Sequence, residues 1–124
     1  MSINEINVLV LAYLGDTIYE DYIRKYLINK NIAKVNDLQK EASNYVSAKA
    51  QASFLKNMIE NNFFFEEELS IIRRARNYKS NSHPKNCDIV TYKHATALEA
   101  VIGYLELSNN RIRIDEIMNN ILGE

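Results

Sequence analysis

Two acidic side chains interrupt the most apolar stretches of this sequence. Asp16 closes the run Val8-Leu9-Val10-Leu11-Ala12-Tyr13-Leu14-Gly15, and Glu99 lies inside Ala97-Leu98-Glu99-Ala100-Val101-Ile102-Gly103-Tyr104-Leu105. A carboxylate removed from water without a partner is costly, so it is protonated, paired or metal-bound. No basic residue lies within one helical turn of Asp16, and the bases nearest to Glu99 are Lys93 and His94. Two carboxylates without a local cation point to a metal ion as the missing positive charge. The pair has no His or Cys at ligand spacing, so it does not read as a zinc set. Oxygen-only donors suit Mg²⁺, with Mn²⁺ as a substitute. Each acid also has a plainer explanation. Asp16 would cap a helix beginning at Thr17, and Glu99 would be a buried acid hydrogen-bonded to one of the eight tyrosines. Taken singly, the residues leave both alternatives open.

The elements that must position these acids read as helices. Asp16 and Glu20 are one turn apart and share a face, while Tyr92, Thr96, Glu99 and Gly103 fall on one stripe of another helix. Gly15 and Gly103 stand close to the two acids, and glycine inside a helix weakens it unless something must approach closely. Helical patterning predicts five stretches: about 3–29, with Gly15 as the point where it would break; 36–60; 65–78; 89–107; and 112–122. In the second, Asn36 is the expected N-cap with Gln39 as its capping-box partner, and Asn61-Asn62 ends it. A polar loop spans 79–88. Three glycines and one proline leave few places for turns, which favours long helices over many short strands. Nothing reads as a strand, and the class is all-α.

A chain of 124 residues supports one domain, taken as 1–124, with a single core. The lone Cys87 excludes an internal disulfide and fits a reducing compartment. The start of the chain lacks the basic segment of a signal peptide. No apolar run approaches the ~20 residues that span a bilayer. A cytoplasmic protein with no membrane association is expected. The net charge of −1 rules out a bulk polycation, so any nucleic-acid contact must come from local charge. Between Arg73 and His94 there are six Lys/Arg and one acid, Asp88, whereas Glu60 to Glu68 holds four acids and no base. Arg73, Arg74, Arg76, Asn77, Lys79, Lys85 and Asn86 are therefore candidates for phosphate contacts. Acids at a helix start and bases at its end are also what the helix dipole favours, and on pattern alone that explanation is somewhat the stronger.

Leu11-Ala12-Tyr13-Leu14-Gly15-Asp16-Thr17-Ile18-Tyr19-Glu20 resembles the signature helix of the ribonuclease III catalytic domain. Ala97 to Leu105 resembles that domain's second acidic helix. Between them, Tyr45-Val46-Ser47-Ala48-Lys49-Ala50-Gln51-Ala52, Arg73-Arg74-Ala75-Arg76-Asn77, and Pro84-Lys85-Asn86 with Asp88 and Thr91-Tyr92 are similar to the short bacterial branch called Mini-ribonuclease III. The resemblance runs through nearly the whole chain, in order. It implies a ribonuclease III-like helical bundle, paired as a homodimer, in which each subunit's acidic cluster binds Mg²⁺ and cuts one strand of double-stranded RNA. It also implies maturation of both ends of 23S ribosomal RNA from the precursor stem, with a large-subunit ribosomal protein as a helper. The double-stranded-RNA-binding domain of the longer members is expected to be absent.

By motif position, Asp16 is the family's active-site Asp and Glu99 its metal-binding Glu. Glu20, Asp88 and Thr96 stand as outer helpers, and the basic residues of 73–86 would hold the duplex. Where longer members carry further acids, this chain has Ala12 and Thr96; the Mini branch shares both losses, which leaves two carboxylates at the site. Ala75 stands where the branch usually has Gly. Two rivals remain, a non-catalytic RNA-binding helical dimer and a structural helical adaptor. The retained acids argue against the first, since a binder needs no carboxylates facing phosphates.

Overall fold

The computed structural model describes residues 2–79 and 83–123, and among them the regular structure is helical throughout. A short 3-10 turn, Ile3–Glu5, precedes six α-helices: α1 (Val8–Asn29), α2 (Val35–Val46), α3 (Ala48–Glu60), α4 (Glu66–Arg76), α5 (Ile89–Leu107) and α6 (Arg111–Leu122). The bundle is built around α5, which packs against α1, α3, α4 and α6. Its sequence explains that place. Ala95, Ala97, Leu98, Ala100, Val101, Ile102 and Leu105 bury it on nearly every side, and a helix that is apolar all round belongs in the centre. By contrast α2 buries no residue completely and lies at the edge against α1 and α3.

Four of the six α-helices start behind a short polar side chain. Asn7 accepts from the Leu9 amide at 2.8 Å, Ser47 from Ala50 at 3.2 Å, Asp88 from Thr91 at 2.8 Å and Asn110 from Arg113 at 3.2 Å. Three ends follow asparagine, and α6 ends on Gly123. Asn31, Asn62 and Asn109 adopt φ of 64°, 55° and 58° just past α1, α3 and α5, the left-handed conformation that helix termination asks for. With asparagine in that role, Gly15 and Gly103 both lie inside helices.

The structure departs from the helical expectations in four places. α1 starts at Val8 behind the Asn7 cap, and residues 3–5 form a separate 3-10 turn. α1 runs unbroken through Gly15. The second predicted helix is two, because the Ser47 hydroxyl caps α3 and breaks the chain direction after Val46. α2 begins after Lys34 without a side-chain cap, so Asn36 lies inside it. Residues 80–82 of the predicted polar loop fall outside the described residues.

α6 is fastened by a buried charge. The Arg113 guanidinium forms two hydrogen bonds with Glu68, Nε–Oε2 at 2.8 Å and Nη2–Oε1 at 2.9 Å, and donates to the Phe63 carbonyl at 2.8 Å. It also lies over the Phe63 and Phe65 rings, 4.5 and 4.1 Å from their centroids. Glu68 in turn accepts from the Phe65 amide at the start of α4. Loop, α4 and α6 thereby meet at one ion pair.

Candidate active site

The two acid-bearing helices touch backbone to backbone. A Cβ built on Gly15 would stand 1.7 Å from the Glu99 carbonyl oxygen, and one on Gly103 would stand 1.9 Å from that of Leu11. No side chain fits at either point. As α1 advances from Leu11 to Gly15, α5 advances from Glu99 to Gly103 past it in the opposite order, so the helices cross antiparallel with a glycine from each at the contact. Asp16 follows one glycine directly, and Glu99 lies one turn before the other. The crossing therefore sets their side chains together.

The two carboxyls have unlike surroundings. Asp16 is exposed and Glu99 is half-buried. Burial, hydrogen bonding to Asp16 and the charge of Asp16 push the Glu99 carboxyl up to about 9, against a weaker opposing effect from the Gln51 amide. Gln51 Nε2 lies 3.5 Å from Glu99 Oε2. Among the described residues, neither Asp16 nor Glu99 takes part in an ion pair. The two plainer explanations both fail. Asp16 lies well inside α1 and caps nothing. The buried tyrosine beside Glu99, Tyr19, gives its hydroxyl to the Tyr45 carbonyl at 2.5 Å. Burial and the Glu99 charge push the Tyr19 phenol well above its usual range.

The outer candidates divide. Glu20 lies one turn beyond Asp16 and adds slightly to the field on Glu99, but it is paired with Arg24 at 3.3 Å. Thr96 is buried one turn before Glu99. Asp88 serves as the cap of α5: its two oxygens accept from the Thr91 amide at 2.8 Å and hydroxyl at 2.9 Å, and those bonds hold its carboxyl below the ordinary value. Eleven residues of helix, about 16 Å of rise, separate Asp88 from Glu99. His94, one of the two nearest bases in sequence, turns back to the Val90 carbonyl at 2.7 Å.

The predicted basic patch is less uniform than its sequence. Arg73 pairs with Glu66 at 3.0 Å, and Arg74 donates to the Ile6 carbonyl at 2.9 Å. Arg76, Asn77, Lys79, Lys85 and Asn86 are exposed. Lys85 and Asn86 sit in a turn where His83 Nδ1 lies 2.6 Å from the Cys87 carbonyl. Sequence reasoning missed Gln51. Its signal was the phase it shares with Leu55 and Met58, which places an amide on the core-facing stripe of α3.

The ribonuclease III domain pattern matches residues 9–110, which includes both acids and the crossing. The chain belongs to the ribonuclease III family. Within that family it is similar to proteins named Mini-ribonuclease 3. That of Brevibacillus brevis is 51% identical over 115 residues, covering 93% of this chain and 84% of the relative. That of Staphylococcus aureus is 41% identical over 117 residues, covering 94% and 87%. A crystal structure of a Fusobacterium nucleatum protein superposes with a TM-score of 0.86 at 35% identity, covering 97% of this chain and 96% of that one. This family member is an endoribonuclease acting on double-stranded RNA. No helix among the described residues is long and apolar enough to cross a membrane.

Proposed function

We propose that Asp16 and Glu99 form a Mg²⁺-dependent centre that cuts duplex RNA, and that a homodimer brings two such centres to one stem. The observation that carries this reading is the glycine crossing, which pairs an exposed carboxyl with a recessed one and supplies no cation to either. The donor set fits the ion. A carboxyl pushed up to about 9 beside a second acid holds a proton at neutral pH, and a divalent cation can take that proton's place. Among the described residues no group of three or more His, Cys, Asp or Glu gathers to form a closed protein cage. Mg²⁺ is commonly held by one or two carboxylates, with waters and substrate phosphates completing its shell.

When bound, Mg²⁺ supplies Lewis-acid stabilisation of charge developing on the phosphoryl group. The chain's own residues do the rest. Asp16, exposed, faces the duplex, and Glu99, recessed, anchors the site from beneath. Water attacks phosphorus in line, the P–O3′ bond breaks, and the leaving oxygen takes a proton. The ends are a 5′-phosphate and a 3′-hydroxyl. Arg76, Asn77, Lys79, Lys85 and Asn86 hold the A-form backbone, with Arg73 and Arg74 behind them. An A-form duplex is read mostly through its minor groove by shape, 2′-hydroxyls and phosphates. The physiological substrate in this reading is the 23S ribosomal RNA precursor stem in the cytoplasm, cut on both strands.

The test is Asp16→Asn, which preserves shape and removes the ligand charge. Cleavage of a labelled RNA duplex should be lost at saturating Mg²⁺ while the thermal midpoint is retained. Near wild-type rates would overturn the assignment. A precursor-stem RNA labelled on both strands tests the substrate: both mature ends should appear from the wild-type protein and neither from the variant.

A further inference from the structure

Gln51 is an anomaly in the core. Its side chain is only 3% exposed, and it occupies the stripe on which Leu55 and Met58 pack. A buried primary amide carries a desolvation cost unless its hydrogen bonds are made, and a leucine at this position would pack without that cost. The amide instead reaches from α3 to α5, with Nε2 3.5 Å from Glu99 Oε2.

Its location is fixed from two directions. The Ser47 cap starts α3 in a new direction after α2. Two residues earlier, the Tyr45 carbonyl is held by the fully buried Tyr19 hydroxyl of α1. The register of α3 is thus tied to the helix that carries Asp16. The amide faces one oxygen of Glu99, Oε2, from the α3 side. The charge of the donor matters as well. Lys or Arg at this point would neutralise Glu99 and compete with a metal, whereas a neutral N–H orients the carboxylate and leaves its charge intact. Hydrogen bonds of this kind fix the geometry and basicity of metal-ligating groups.

We infer that Gln51 is a positioning residue for the cut, holding the Glu99 carboxylate in its metal-binding orientation through the side-chain amide. The inference rests on the proposed roles of Asp16 and Glu99. Because Gln51 is buried, it acts on metal affinity and turnover and leaves duplex binding alone.

The experiment uses the full chain and two variants. Gln51→Met keeps the length of the side chain and removes the N–H, and Gln51→His keeps a donor at similar reach. Mn²⁺ is the probe, and its binding without RNA is followed by the paramagnetic resonance of the free ion. Gln51→Met should bind Mn²⁺ about tenfold more weakly and show a similar fall in kcat, with an unchanged KM for the duplex. Gln51→His should lie closer to the wild type in both. Wild-type Mn²⁺ affinity and kcat in a folded Gln51→Met would overturn the inference, as would a raised duplex KM at unchanged kcat. Should Gln51→Met not fold, Gln51→His decides alone: retained Mn²⁺ affinity supports the role, and its loss at an unchanged thermal midpoint refutes it. Asp16→Asn, run alongside, separates the two levels. If that variant cuts RNA, the proposed centre itself is wrong; if it is inactive while Gln51→Met behaves as wild type, only the role of Gln51 falls.

Discussion

Glu99 is under strain from its neighbours before any metal arrives. Its carboxyl is pushed from 4.5 up to about 9 by burial and by Asp16, with Glu20 adding a little. Between those two values the native state binds a proton that the unfolded chain has released, so stability falls as pH rises through the window. Removing the charge removes the fall. In metal-free buffer at pH 8, Glu99→Gln should therefore melt above the wild type, while the two converge toward pH 4.5. A gain of about 1 kcal/mol corresponds to roughly 3–6 °C in a domain of this size. The same variant should not cut RNA. A lower midpoint than the wild type at pH 8, measured calorimetrically at equal protein concentration, would contradict this account. Asp16 and Glu99, the proposed centre, stood out in the sequence because a charge inside an apolar run is a local anomaly. Gln51 was not, because a glutamine in Ser47-Ala48-Lys49-Ala50-Gln51-Ala52 looks like an ordinary helix former. Its phase with Leu55 and Met58 was the one cue, and the packing of α3 on α5 shows that it is buried.

The helices themselves show which features are local. α5 runs from Ile89 to Leu107 as the apolar pattern indicates, since Asp88 caps it and the run ends at Ser108. The break at Ser47 was hidden because its residues favour helix on both sides, and a serine caps only when the chain turns there. The glycines announced a close approach, but what they approach was a tertiary fact. A methyl group at Gly15 would lie 1.7 Å from a backbone oxygen, and relief requires moving a helix. Ordinary overpacking costs about 1–3 kcal/mol, and Gly15→Ala should reach the upper end of that range in urea titration. Its activity should fall further than its folded fraction, by about 100-fold, because misplacement by 1 Å is enough for such a loss. A folded Gly15→Ala with full activity would mean that the crossing does not set the site. Arg113 gives a contrasting case at the same scale. Arg113→Met breaks a buried pair and leaves Glu68 uncompensated, at a cost of about 3–5 kcal/mol. Whatever remains folded should keep the wild-type kcat, since α6 carries no residue of the site.

At the scale of the molecule, the proposed reading gives each chain one acid pair for a substrate of two strands. A two-fold dimer answers it with a self-complementary patch. The sequence offers Ile6, Leu9, Val10, Tyr13, Ile18 and Tyr22 as surplus apolar surface on and around α1, or else the stretch near Tyr104 on α5, and the structure narrows that set; Tyr104 is half-buried and donates to Glu67. Ile18 belongs to the chain's own core. Ile6 is partly covered, and Tyr22 donates its hydroxyl to Asp115. Leu9, Val10 and Tyr13 remain, 39%, 55% and 80% exposed, on the half of α1 that precedes Asp16. They share one face of α1, and Tyr13 stands one turn before Asp16, so a partner seated there would lie beside the proposed centre. Burying them should couple assembly to folding. Light scattering at micromolar concentration should give about twice the chain mass of 14.4 kDa. The double variant Val10→Asp, Tyr13→Asp puts two charges into the patch and leaves every site residue in place, so it should sediment as a monomer. On a stem labelled on both strands, the wild type should release doubly cut products in one encounter, whereas the charged variant should leave single nicks or none. A monomeric variant that still cuts both strands without an intermediate nick would remove the need for a dimer. The acid pair of a single chain would then have to serve each strand in turn.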